Sequence, residues 1–138
     1  MMPEPAQLRD FAQRYTAAWC SQNAASVATF FAPNGSLSVN GAPAVGRRAI
    51  TEVAQGFMTA FPDMRLLMDE ILVRGDRAEY HWTCLGTNTG PGGTGHRVRF
   101  SGFEVWKIGE DELIAESQGQ FDIADYQRQL ERGVGESR

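Results

Sequence analysis

Apolar residues recur at helical spacing near the start of the chain. Leu8, Phe11, Ala12, Tyr15, Ala18 and Trp19 fall on one stripe, which predicts an amphipathic helix from about Glu4 to Ser21. Asn23 suits the cap of a second, short helix carrying Val27 and Phe30, stopped by the turn residues Pro33-Asn34-Gly35. Ser36 to Val39 reads as a short strand and Gly41 to Gly46 as a loop. A third helix covers Arg47 to Ala60 and ends at Phe61-Pro62-Asp63, because proline turns its predecessor away from helix. Beyond it the period changes to two. Met64 to Val73 is expected to be a strand, Gly75-Asp76 a turn, and Arg77 to Thr89 a long strand. The loop Gly90 to Gly95 interrupts the pattern, two more strands flank Gly109-Glu110-Asp111, and a polar helix follows from Ile123 to Leu130.

Three helices leading into a meander of long strands make an α+β fold. Gly86 and Gly102 are the expected bend points of a strongly curved, mostly antiparallel sheet. The three N-terminal helices would pack on its concave face and a short C-terminal helix would close the chain. That is a cone-shaped α+β barrel with a pocket lined from both sides. The 138 residues suit one domain spanning 1–138, without repeats or linkers.

Alternation assigns the faces. Ala78, Tyr80, Trp82 and Cys84 should point into the cone, while Glu79, His81 and Thr83 point outward. Trp82 and Asn88 are candidate pocket residues, as are Tyr15, Trp19, Phe57 and Phe61 from the helices, although aromatics at such spacing usually pack as core. In the last strand Glu116, Gln118 and Gln120 share a parity with Ile114 and with Asp122 at the strand–helix junction. Asp122 has two readings: a helix cap, or a general acid/base whose pKa an apolar pocket would raise. Gln118 and Gln120 would then bind a substrate carbonyl or enolate. Glu104 could join only with an inward side chain, which the Ser101-Gly102 break leaves open.

Composition narrows the functions. The formal net charge is −4, and no basic stripe appears, so no nucleic-acid partner is expected. No apolar run could span a bilayer, and the start of the chain lacks the basic and apolar regions of a signal peptide; we expect no membrane partner and a cytoplasmic location. Cys20 and Cys84 read as reduced core residues, and no metal-ligand spacing or phosphate-binding glycine motif is present, so neither a metal nor a cofactor is expected.

Several segments together resemble a known family: Gly46-Arg47-Arg48-Ala49-Ile50, Phe61-Pro62-Asp63 and Gly86-Thr87-Asn88-Thr89-Gly90, then Gly102, Trp106, Leu113-Ile114-Ala115-Glu116, Phe121-Asp122 and Gln129-Leu130. The chain is similar to the SnoaL-like polyketide cyclases of the nuclear transport factor 2-like superfamily, whose fold is the cone described above. The resemblance implies that Asp122 is the general acid/base, taking a proton from a carbon between carbonyls so that the enolate closes a ring by aldol addition. The family pattern usually carries histidine at Asn88, tryptophan at Gln118 and histidine at Gln120; with these residues changed, the resemblance does not carry the characterised substrate or reaction over to this chain. The resulting expectation is a cofactor-independent enzyme acting on a small hydrophobic carbonyl compound by aldol cyclisation or isomerisation. The alternatives are a limonene-type epoxide hydrolase and a non-catalytic ligand-binding or dimerisation module of the same fold. The outward row Glu79, His81 and Thr83 suits a partner sheet, hence a homodimer.

Overall fold

A computed structural model describes residues 2–134. Helix α1 (Pro5–Cys20) forms as the apolar stripe predicts and buries Leu8, Ala12, Tyr15, Ala18 and Trp19. Helix α2 (Ala24–Ala28) is a single short turn, and α3 (Arg47–Ala60) buries Ile50, Ala54 and Met58. The strands are β1 (Phe31–Val39), β2 (Ala42–Val45), β3 (Arg65–Arg74), β4 (Arg77–Thr87), β5 (Arg97–Ile108) and β6 (Ile114–Phe121), followed by α4 (Ile123–Arg132). They build one six-stranded sheet in the order β2-β1-β6-β5-β4-β3. Every pairing is antiparallel except β1 with β6, so the sheet is mixed. The fold is therefore the expected α+β architecture, with the helices against the curved sheet.

Four local expectations need correction. Pro33-Asn34-Gly35 does not end a helix: β1 runs through it, with a register irregularity between Phe31 and Ser36 that accommodates the proline. The expected loop at Gly41 to Gly46 contains β2, and β4 stops at Thr87 rather than Thr89. Cys84 is buried but Cys20 is exposed, its sulfur bonded to the Leu66 backbone. Both cysteines are free thiols.

The core is unusually aromatic around the middle of α1. Tyr80 and Trp106 stack at 5.0 Å, and Tyr15 meets both edge-on at 5.3 and 5.2 Å. Such pairs contribute beyond the area they bury. Gly102 shapes the other end. It lies directly opposite Trp82 on β4, and the indole occupies the space a side chain would fill.

A methyl group at Gly102 would stand 2.6 Å from Cζ2 of Trp82 and against the Gln120 carbonyl. Gly102→Ala should therefore destabilise the fold by about 1–3 kcal/mol through overpacking. Denaturant unfolding measures the loss, and near-UV circular dichroism should report the displaced Trp82.

Candidate active site

The inward row of β5 is Val98, Phe100, Gly102, Glu104, Trp106 and Ile108, so a single carboxylate sits in an otherwise apolar series. Glu104 is 7% exposed. Its Oε1 accepts from the Tyr15 hydroxyl at 3.0 Å, the Trp106 indole N–H at 2.8 Å and the Ser117 hydroxyl at 2.8 Å. Oε2 has only a longer share of Tyr15, at 3.2 Å. These donors come from α1, β5 and β6. Among the described residues no cation pairs with Glu104. Burial raises its pKa, and the bonds from Trp106, Ser117 and Tyr15 only partly oppose that rise.

Glu104 borders a cavity walled by Trp19, Leu37, Phe57, Trp82, Phe100 and Phe121. The space that water centres can occupy is about 60 Å³. Gly119, opposite Glu104 on β6, also lines the cavity; a Cβ there would lie 3.4 Å from Cγ of Glu104 and 3.2 Å from the Ser38 carbonyl oxygen. Gln120 stands at the rim, lining both this cavity and a shallower outer groove. Cys84 also lines the cavity, but burial pushes its thiol up to about 12, which removes it as a nucleophile near neutral pH. The lining holds neither arginine nor aspartate, so the Asp-Arg-Asp group of an epoxide hydrolase is not assembled there.

The residues expected from sequence divide into two sets. Trp19, Phe57, Trp82 and Gln120 line the cavity, and Tyr15 touches it through Glu104. Phe61 is buried elsewhere, edge-on to Tyr126. Asn88 clips a loop instead: its amide donates to the Ala60 carbonyl and its oxygen accepts from Thr94. Gln118 is exposed and bonds Glu116 on the outer face. Asp122 is exposed in the outer groove and caps α4, accepting from the Asp125 backbone N–H at 3.1 Å.

The parity expectation for β6 fails for a definite reason. Ile108 pairs with Ile114 and Lys107 with Glu116, so Ala115 is an extra residue, a bulge. Ile114 points inward, but beyond the bulge the inward positions are Ser117 and Gly119. His81 does lie on the outer face, stacked on Phe103 at 5.6 Å.

With this geometry in place, likeness to known proteins can be weighed. A sequence model of the SnoaL-like polyketide cyclases matches residues 9–130. The chain belongs to that family. Its fold recurs in TsrD from Streptomyces laurentii, at 21% identity and a TM-score of 0.80, covering 94% of this chain and 98% of that one. A SnoaL-like protein from a Jannaschia species gives 13% identity and a TM-score of 0.81, covering 96% and 98%. A Catenulispora acidiphila protein of ketosteroid isomerase-like fold gives 17% and 0.74, covering 84% and 88%. No curated protein matches the sequence. At these identities the structures establish the fold alone. Among the described residues no helix is long and apolar enough to cross a membrane, and no group of side chains could hold a metal ion.

Two substitutions separate the parts of this site. Glu104→Leu orphans the Tyr15, Trp106 and Ser117 donors and should cost about 3 kcal/mol or more, whereas Glu104→Gln keeps an acceptor and should cost far less. The pH dependence has a definite sign. Above the ordinary glutamate pKa the unfolded chain has released a proton that folded Glu104 still holds, so stability falls as pH rises through the raised value and then levels off. Denaturant melts of wild type and Glu104→Gln across pH should show wild type losing ground relative to the variant over that window.

Proposed function

We propose that this protein is a cofactor-independent acid/base enzyme acting on a small hydrophobic carbonyl compound, with Glu104 as its proton-transfer group. The observation carrying this reading is a buried carboxyl of raised pKa, unpaired with any described cation, at the polar end of an aromatic-walled cavity. Desolvation strengthens such a carboxylate as a base. Oε1 is occupied by three donors, which leaves Oε2 to exchange the proton. In the ionised enzyme Oε2 takes a proton from the carbon beside the carbonyl, and the C–H electron pair becomes an enolate. Return of that proton at a second carbon is an isomerisation; in an aldol closure the enolate carbon attacks a second carbonyl of the same molecule, whose π electrons pass to its oxygen, and the resulting alkoxide takes the proton back from Glu104. Tyr15 is the positioning residue for Glu104. Membership of the cyclase family supports this class of chemistry without selecting the substrate.

Asp122 holds the position that the family resemblance assigns to the acid/base, so the two carboxylates are tested side by side. Exchange of α-hydrogens for deuterium in a panel of cyclic ketones and 1,3-dicarbonyl compounds, followed by proton NMR, reads enolisation directly. Glu104→Gln should lower the rate by about 10²–10⁴-fold. Asp122→Asn keeps a good cap and should leave the rate within a few-fold. The opposite ranking would transfer the role to Asp122, and no exchange in any variant would favour the non-catalytic binding module.

We further propose a cytoplasmic homodimer formed through the outer sheet face, which carries half-buried Phe103 and Val105, the His81–Phe103 stack and, nearer the sheet edge, exposed Leu67. Sedimentation should give twice the mass of one chain, and Phe103→Glu should return a folded monomer. A monomeric wild type would overturn the dimer.

A further inference from the structure

The cavity has a depth axis that follows the strands. Cross-strand partners form successive rows on the concave face: Trp106 with Ser117, Glu104 with Gly119 and Tyr80, Gly102 with Phe121 and Trp82, then Phe100 with Cys84. Fully buried Tyr15, Tyr80 and Trp106 plug the end beside Glu104. The other end is not sealed. Most of the lining is buried, but Val39, Phe57, Leu66, Trp82 and Phe121 are only half-buried. Val39 and Phe121 stand at the ends of β1 and β6, and α3 packs against β1 and β2. The space therefore opens between those two strand ends and the last turn of α3, which carries Phe57.

The half-buried residues are not equally fixed. Phe121 meets Phe100, Tyr126 and Trp82 at 5.1, 5.3 and 6.0 Å, and Asn40 holds its backbone N–H. Trp82 also meets Phe100 and lies over Gly102. The Leu66 backbone is tied to the Cys20 sulfur. Phe57 has one aromatic neighbour among the described residues, Trp19 at 6.2 Å, and it projects from a helix end rather than from the sheet. We propose that Phe57 sets the size of the ligand: its ring closes the mouth behind a carbonyl compound of about one small ring and turns away fused two-ring ketones. This deepens the reading of the cavity as the site of a small hydrophobic carbonyl compound and rests on it. The volume agrees. The room for water centres, about 60 Å³, holds about four to six waters at roughly 10–15 Å³ each. A second fused ring needs the space that the Phe57 phenyl group occupies. Apart from Glu104 the lining carries no charged side chain, so the mouth sorts molecules by shape.

Ligand titrations followed by the indole N–H signals in nitrogen-15 NMR test this without turnover. Of the three tryptophans, Trp19 and Trp82 line the cavity, and Trp106, outside the lining, reports an intact core. The probes are cyclohexanone as the one-ring ketone, with 1-indanone and 1-tetralone as two-ring ketones. In Phe57→Ala, affinity for the two-ring ketones relative to cyclohexanone should rise about ten-fold or more over wild type. Phe57→Leu, a smaller truncation that also serves if the alanine variant does not fold, should raise the ratio less, and Phe57→Trp should lower it. Three results would overturn the proposal: an unchanged ratio in variants whose Trp106 signal stays in place, a ratio that moves in Val39→Ala but not in Phe57→Ala, or no binding of any probe. Glu104→Gln separates the two readings. A ratio that responds to Phe57, beside α-hydrogen exchange indifferent to Glu104, leaves the size role standing and removes the proton-transfer role. A ratio indifferent to Phe57, with exchange lost in Glu104→Gln, gives the reverse.

Discussion

A carboxyl group taken out of water must recover its lost hydrogen bonds from the protein, and Glu104 recovers them from three separate parts of the chain. Tyr15 reaches it from α1, Trp106 from its own strand and Ser117 from the neighbouring strand. Because each donor would itself be orphaned without the carboxylate, the arrangement is mutual. Helix α1 cannot slide along the sheet without breaking it. The same contact therefore sets how the helix lies over the concave face, and with it the depth of the space between them. The stack of Tyr80 on Trp106, with Tyr15 edge-on to both, fixes the donors in the positions the carboxylate requires.

Two carboxylates of this protein show how far environment outweighs residue type. Asp122 is exposed and bonded to a backbone amide at the start of α4, a position that stabilises a helix. Glu104 is buried in an aromatic shell, where desolvation alters its proton affinity. Small residues make the second environment usable. Gly119 leaves room beside the Glu104 stem, and Gly102 lets the Trp82 indole lie across β5 and form one wall. Gly102, read from the sequence as a bend point, is thus also the vacancy over which the Trp82 wall lies.

Much of the architecture could be read from periodicity. The stripe of α1, the limits of α3 and the inward row Ala78, Tyr80, Trp82 and Cys84 all follow from spacing, and the structure has them there. The site was harder to read because it depends on parity across irregularities. One extra residue at Ala115 reverses the faces of β6, and a bulge carries no mark in composition. Pro33 and Gly35 look like a turn, but an irregular strand can hold both; at Gly35 a Cβ would meet the Ile114 carbonyl. Glu104 did leave a signal. It is the lone acid in the alternating run Val98, Phe100, Gly102, Trp106 and Ile108, a place where a carboxylate is costly without donors. Glycine within that run hid the continuity of the alternation.

The distribution of polar groups around the cavity also constrains what chemistry the fold can support. Three donors gather on one carboxyl oxygen, while the other has only the longer share of Tyr15. Placing every strong donor on Oε1 lowers the cost of burying the charge. A cation at the same place would stabilise the carboxylate further, but it would pull the pKa down and weaken the base. Neutral donors are the compromise: they hold the group in position and leave its proton affinity raised. The aromatic walls then serve a purpose beyond packing, because they exclude the water that would otherwise level the difference between this carboxyl group and one in solution.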